Sequence, residues 1–126
     1  MIVNVTLNDI YTPIQDDLKI FSELLKQELV SDDPLIRDIH DHLLKISGKF
    51  LRPALAILCS KIENKDCARA VTLASAIELI HTATLVHDDI IDDSNLRRNM
   101  PSIYSKWGAE ISIVSGDYLY AKAFML

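Results

Sequence analysis

Apolar residues recur every three or four positions along most of the chain, which is the spacing of a helix face rather than of a strand. The first predicted helix is capped by Thr6 or Asn8 and runs to about Val30. Glycine and proline number only three and four, so few residues interrupt these patterns. The sequence therefore predicts an all-α fold, whose first helix is expected to bury Ile14, Leu18, Phe21, Leu25 and Leu29.

A second helix is predicted from Leu35 to about Ile46, with Ser31 or Asp32 as its cap. Its histidines, His40 and His42, are expected to be surface residues. The side chains expected to be buried are Ile36, Ile39, Leu43 and Leu44.

Three more helices are predicted after the second one. They are Arg52–Ile62, Cys67 to about Asp93, and a last helix from near Trp107 or Gly116, with a turn at 63–66 and a loop at 94–102. The last helix has no C-cap and is still running at Leu126. We therefore expect residues 1–126 to be a single helical domain that forms the front part of a longer protein.

The composition is that of an ordinary soluble domain, with 49% hydrophobic and 25% charged residues and a net charge of −5. An acidic chain is poorly suited to bind nucleic acid. The most apolar window, 70–87, contains a glutamate and two histidines, so no transmembrane segment is expected. The two cysteines, Cys59 and Cys67, are expected to be reduced core thiols of a cytoplasmic protein.

Four aspartates end the fourth predicted helix, where the helix dipole disfavours acidic side chains. Asp88 and Asp92 are one turn apart and share a stripe with His81, because each residue advances about 100°. Like charges at this spacing repel each other, a cost that a bound cation would offset. Paired carboxylates without a nearby cysteine suit Mg²⁺, which is usually shared with a substrate phosphate.

Two basic groups accompany the carboxylates. Lys49 and Arg52 lie at a predicted helix start, where anions bind readily. Arg97 and Arg98 follow the aspartates. One interpretation is that these arginines only neutralise a solvated acidic helix end. Together with the basic helix start, however, they indicate two diphosphate sites that face each other.

Four segments carry a resemblance to a known family: GKFLRP (48–53), IELIHTATLVHDD (77–89), HDDIIDDSNLRR (87–98) and GDYLYAKAF (116–124). From about Leu43 to its end the chain resembles the trans-isoprenyl diphosphate synthases, in particular the long-chain octaprenyl and heptaprenyl type. The resemblance implies an antiparallel helical bundle of the isoprenoid synthase type, of which only the N-terminal helices are present. It also implies a homodimer.

The resemblance implies a prenyl transfer from an allylic diphosphate to isopentenyl diphosphate, with Mg²⁺ as cofactor. Asp88 and Asp92 would bind the metal, with Asp89 as a further ligand and Asp93 as a ligand or outer support. Arg97 would hold the allylic diphosphate. The side chains that would hold isopentenyl diphosphate are Lys49, Arg52, His81 and Arg98. His87 is interpreted as a hydrogen-bonded structural residue.

The resemblance also bears on product length. In the family, bulky residues four and five positions before the first aspartate block elongation, and here these positions hold Thr84 and Ala83. With Ile80 and Ile77 they would line the chain-length pocket. Both residues are small, so we expect a long product such as a quinone side chain. The alternative is that Ala83 and Thr84 only allow close helix packing.

Three departures from the family pattern stand out. Ser47 replaces a glycine, Phe50 replaces an arginine, and Asn99–Met100 replaces Gly–Lys. Asparagine tolerates a left-handed backbone, so the turn at Asn99 is expected to survive. The family's second aspartate-rich motif does not occur after Asp93.

Other functions remain open at this point. The chain is alternatively a non-catalytic helical partner subunit, or an inactive truncated fragment, of such a synthase. A class I terpene cyclase shares the ionisation chemistry, although it would not need GKFLRP. The last alternative is a plain helical bundle that binds a divalent ion at its acidic end.

Overall fold

The computed structural model describes residues 4–63 and 67–126, and the predicted turn at 63–66 lies outside them except for Glu63. The described part is helical apart from one short hairpin, so the predicted all-α fold is confirmed. The elements are α1 (Leu7–Tyr11), a 3₁₀ turn (Thr12–Ile14), α2 (Gln15–Glu28), α3 (Pro34–Lys45), α4 (Leu51–Ile62), α5 (Cys67–Ile91), β1 (Leu96–Arg97), β2 (Met100–Pro101) and α6 (Ile103–Met125).

The first predicted helix is two helices separated by the 3₁₀ turn that contains Pro13. Thr6 caps α1 as predicted, because its hydroxyl accepts from the Asp9 N–H while the Asp9 carboxylate accepts from the Thr6 N–H. The predicted apolar face lies in the core: Ile14, Phe21, Leu25 and Leu29 are buried and Leu18 is half-buried.

The cap of α3 differs from the prediction by one or two residues. Asp33, rather than Ser31 or Asp32, accepts a hydrogen bond from the N–H of Ile36 at 3.1 Å. Pro34 then occupies the first helical position, where its missing N–H costs nothing. A proline at that position therefore indicates that the residue directly before it is the cap.

The prediction that His40 and His42 are surface residues is wrong, since both are buried. His40 donates through Nδ1 to the Leu29 carbonyl at 2.6 Å, and His42 donates through Nε2 to the Pro101 carbonyl at 2.7 Å. Each imidazole is buried because a carbonyl satisfies its N–H. His42 thereby ties α3 to the hairpin that follows α5, and its ring packs edge-on against Trp107.

We expect the free energy of unfolding to fall as the pH falls below the ordinary histidine value of 6.5. Burial lowers the pKa of His40, helped by nearby Lys122, so the unfolded chain takes up a proton that the folded chain excludes. Urea unfolding between about pH 7.5 and about pH 5.5 measures the effect. The His40→Gln variant should show a shallower pH dependence, and equal slopes would contradict this account.

The central helix is α5, which packs against α2, α4 and α6. By length and composition alone α5 is apolar enough to cross a membrane, a property that it shares with core helices of soluble proteins. Helix α6 begins at Ile103, capped by the Ser102 hydroxyl, rather than near Trp107 or Gly116 as predicted. Gly108, at a φ of 85°, kinks α6, which explains why the sequence pattern appeared to restart after it.

The prediction that both cysteines lie in the core is not met. Cys59 is exposed and Cys67 is half-buried.

Candidate functional site

The C-terminal end of α5 presents two carboxylates to solvent. Asp88 and Asp92 are both exposed and lie one turn apart, and the Asp92 N–H still donates to the Asp88 carbonyl at 2.8 Å. The helical hydrogen bonding therefore continues as far as Asp92, which keeps the two side chains on one face.

Asp89 is only 2% exposed and faces inward, where it forms a bidentate ion pair with Arg97. Arg97 donates through Nε to Asp89 Oδ2 at 2.9 Å and through Nη2 to Oδ1 at 2.6 Å. This contact, together with the charges of Asp88 and Asp92, raises the pKa of Arg97. The resemblance implied a metal-binding Asp89 and a diphosphate-binding Arg97, and the structure places the two side chains against each other.

The hairpin β1–β2 carries both arginines. Leu96 pairs with Pro101 and Arg97 with Met100, which leaves Arg98 and Asn99 as the two turn residues. Their φ values of 52° and 65° are those of a primed hairpin turn. The expectation that Asn99 preserves the turn is confirmed.

Arg98 reaches back from this turn to the start of the GKFLRP segment. Its guanidinium packs directly on Gly48, so closely that a Cβ at that position would overlap it. A side chain at position 48 would have to displace the Arg98 guanidinium, and the contact brings one arginine of the hairpin to the basic helix start.

Arg52 and His81 are also brought together, with Arg52 Nη1 donating to His81 Nε2 at 3.0 Å. Burial and the positive charges of Arg52, Arg97 and Arg98 lower the pKa of His81, against an opposing effect of Asp88. His81 is thus a neutral acceptor in a strongly positive environment. Such an environment favours an anion.

Sequence reasoning missed Glu78 as a member of this basic cluster. Glu78 is buried one turn before His81, and it lines a small cleft together with Gly48, Arg97 and Arg98. Burial raises the pKa of its carboxyl group, while Arg52 and Arg98 oppose that shift. Its position three residues before His81, on an otherwise apolar face, was the available signal.

The start of α4 has an unusual backbone. Phe50 caps the helix with a φ of 52°, and its ring packs edge-on against Phe21 at 5.1 Å between centroids. Lys49 is exposed, and its carbonyl accepts from the Tyr11 hydroxyl at 2.7 Å. Phe50, at a position where the resemblance leads one to expect a frequent arginine, therefore packs against the core.

The predicted chain-length residues lie along α5 below the carboxylates. Ile77, Ile80 and Thr84 are half-buried, whereas Ala83 is fully buried. The Thr84 hydroxyl donates to the His81 carbonyl at 2.6 Å, which leaves its methyl group free to face an apolar surface. His87, interpreted as structural, donates to the Ile113 carbonyl at 3.1 Å and packs over Gly116 of α6.

These contacts leave two carboxylates available at the end of α5. Within 4–63 and 67–126, no group of three or more His, Cys, Asp or Glu side chains is placed to hold a metal by itself. Asp88 and Asp92 remain, because Asp89 is engaged by Arg97. Mg²⁺ typically takes one or two carboxylates and completes its shell with substrate phosphate and water.

Comparisons of this chain with known proteins agree on one family. The polyprenyl synthetase family model matches residues 33–126. Component 2 of the heptaprenyl diphosphate synthase of Geobacillus stearothermophilus is 38% identical over 93% of this chain and 37% of the relative. A geranylgeranyl diphosphate synthase of Saccharolobus solfataricus is 39% identical over 86% of this chain and 35% of the relative.

The fold agrees with a solved structure of the same family. A polyprenyl synthase from Caulobacter crescentus, crystallised with calcium and isoprenyl diphosphate, superimposes with a TM-score of 0.89 at 33% identity. The match covers 95% of this chain and 37% of that one, so this chain spans little more than a third of its relatives' length. The fold, the motifs and the family model agree that this chain belongs to the polyprenyl synthetase family.

Proposed function

We propose that this chain is part of a longer synthase domain that condenses isopentenyl diphosphate with an allylic diphosphate into a long all-trans polyprenyl diphosphate. The observation that carries the proposal is the arrangement at the end of α5. Two solvent-facing carboxylates lie beside a cluster of basic side chains that converges on His81 and Gly48. In this proposal a metal-bound diphosphate lies at the carboxylates, and a second diphosphate lies at the basic cluster.

Asp88 and Asp92 are the proposed Mg²⁺ ligands. When bound, the ion would neutralise negative charge on the departing diphosphate of the allylic substrate. Calcium and isoprenyl diphosphate in the Caulobacter crescentus relative support a divalent ion in this family. We assign Asp89 to holding Arg97, whose Nη2 also donates to the Leu85 carbonyl at 3.5 Å and whose Nη1 group is proposed to reach the allylic diphosphate.

The basic cluster is proposed to hold isopentenyl diphosphate through Lys49, Arg52, His81 and Arg98. The Arg98 turn and the Gly48 contact preorganise one guanidinium, while His81 holds another by accepting from Arg52. Preorganised donors stabilise charge without reorganising during the reaction. The allylic C–O bond breaks, the isopentenyl double bond attacks the resulting cation, and a proton leaves to diphosphate.

The proposal is tested by incorporation of labelled isopentenyl diphosphate by the natural full-length protein. We expect turnover that requires Mg²⁺ and an allylic primer. Absence of turnover with an active relative in parallel would exclude the proposed function.

Product length gives a further prediction. If the growing chain passes along Thr84, replacing Thr84 with Phe should shift the products to shorter chains while turnover is retained. Chromatography of the dephosphorylated products measures the shift. Thr72→Phe, on the same helix far from the carboxylates, is the control, and unchanged products in Thr84→Phe would contradict a channel on this face of α5.

The assembly is proposed to be a cytoplasmic homodimer. The name of the Geobacillus stearothermophilus relative, a synthase component, favours a second candidate in which the chain works with a different subunit. Size measurement of the full-length protein, expressed alone and purified, separates the two. A homodimer that turns over substrate excludes an obligatory partner.

A further inference from the structure

The turn that ends α5 has a common hydrogen-bonding pattern but an unusual sequence. Ser94 N–H donates to the Asp89 carbonyl at 2.8 Å, and Asp93 N–H donates to the Ile90 carbonyl at 3.3 Å. These are the two bonds of a Schellman motif, whose penultimate position normally holds glycine. Here that position is Asp93, at a φ of 51°. Aspartate adopts this conformation more readily than most residues with a Cβ, but less readily than glycine.

A tyrosine from α6 forms a hydrogen bond to Asp93. The hydroxyl of Tyr104 donates to Asp93 Oδ1 at 2.8 Å. Tyr104 lies in the first turn of α6, two residues after the capping residue Ser102, whose hydroxyl donates to the Ser94 carbonyl at 2.7 Å. Residues at the beginning of α6 therefore form hydrogen bonds to both Asp93 and Ser94, which follow the end of α5.

Asp92 depends on this turn because it lies between the last regular turn of α5 and Asp93. Its N–H donates to the Asp88 carbonyl as in a regular helix, and the next residue, Asp93, has the left-handed backbone. If Asp93 left that conformation, the Schellman bonds would be lost, and with them the support of the chain on the C-terminal side of Asp92.

We propose that Tyr104 is a positioning residue, which holds Asp93 in the left-handed conformation and thereby keeps Asp92 beside Asp88 for metal binding. The inference rests on the proposed function of the two carboxylates. It assigns Asp93 to the protein scaffold rather than to the ion. Tyr104 itself does not contact the substrate in this account.

The test is calorimetric titration of the natural full-length protein with Mg²⁺ in the presence of saturating inorganic pyrophosphate. Tyr104→Phe should bind Mg²⁺ about 3- to 10-fold more weakly, as expected for loss of one typical hydrogen bond. Tyr120→Phe, which removes a hydroxyl later in the same helix, should bind Mg²⁺ as the wild type does.

Two further variants separate positioning from general damage. Asp93→Asn keeps an oxygen that accepts from Tyr104 and should retain most of the Mg²⁺ affinity. Asp93→Ala should match Tyr104→Phe, and the double variant should be no weaker than either single one, because the three lack the same contact. Binding of pyrophosphate without metal should be equal in all of them.

Unchanged Mg²⁺ affinity in Tyr104→Phe, additive losses in the double variant, or weaker metal-free pyrophosphate binding would each overturn the proposal. Absence of Mg²⁺ binding by the wild type would overturn both this proposal and the assignment of the carboxylates. A wild type that binds Mg²⁺ and responds to Tyr104→Phe, but incorporates no isopentenyl diphosphate, would refute the proposed reaction and support the role of Tyr104.

Discussion

Replacing Asp88 with Asn should lower kcat/KM for isopentenyl diphosphate incorporation by roughly 10²–10³-fold, the range seen when one preorganised electrostatic group is lost. Asp88 is exposed, so the fold should survive the change. The change removes one of the two carboxylates that remain for a metal once Arg97 has engaged Asp89. Steady-state kinetics at several Mg²⁺ concentrations should show both a lower maximal rate and a higher metal requirement.

The matched control is Asp38→Asn, which removes the same charge from an exposed position on α3. It should leave the kinetics and the unfolding midpoint within error of the wild type. The comparison also separates the catalytic proposal from the alternative of a non-catalytic partner subunit. In a partner subunit Asp88→Asn would leave activity untouched, and that result would exclude catalysis at this site.

The helices were predictable because their apolar faces repeat over several turns. The predictions were wrong at residues whose environment is set by distant parts of the chain. His40 and His42 have the polarity of surface residues, and only the folded chain reveals the carbonyls of Leu29 and Pro101 that allow their burial. The short helical stretch that begins α6 at Ile103 was missed, because the non-helical Gly108 separates it from the longer stretch that follows.

The site was predictable as a set of residue types, but not as a set of contacts. Spacing alone places Asp88 and Asp92 on one face, since that relation is local to the helix. Spacing cannot show that Asp89 turns inward to Arg97 across the hairpin, or that Arg98 packs on Gly48. Such contacts depend on the hairpin turn, whose geometry the sequence indicated only through Asn99.

Replacing Arg97 with Ala should lower the free energy of unfolding by about 2–4 kcal/mol, because it leaves the Asp89 carboxylate buried without its partner. The cost is expected to fall short of that for a fully buried pair, since the Arg97 side chain is 26% exposed. Urea unfolding at neutral pH measures it.

The neighbouring Arg98→Ala variant is the matched control for that measurement. It removes the same charge from an exposed side chain at the hairpin turn, so stability should change by no more than about 0.5 kcal/mol. The same variant should raise the KM for isopentenyl diphosphate, because Arg98 belongs to the basic cluster on Gly48. Equal losses of stability in the two variants would show that the Arg97–Asp89 ion pair does not stabilise the fold. Arg97 would then have a role in substrate binding alone.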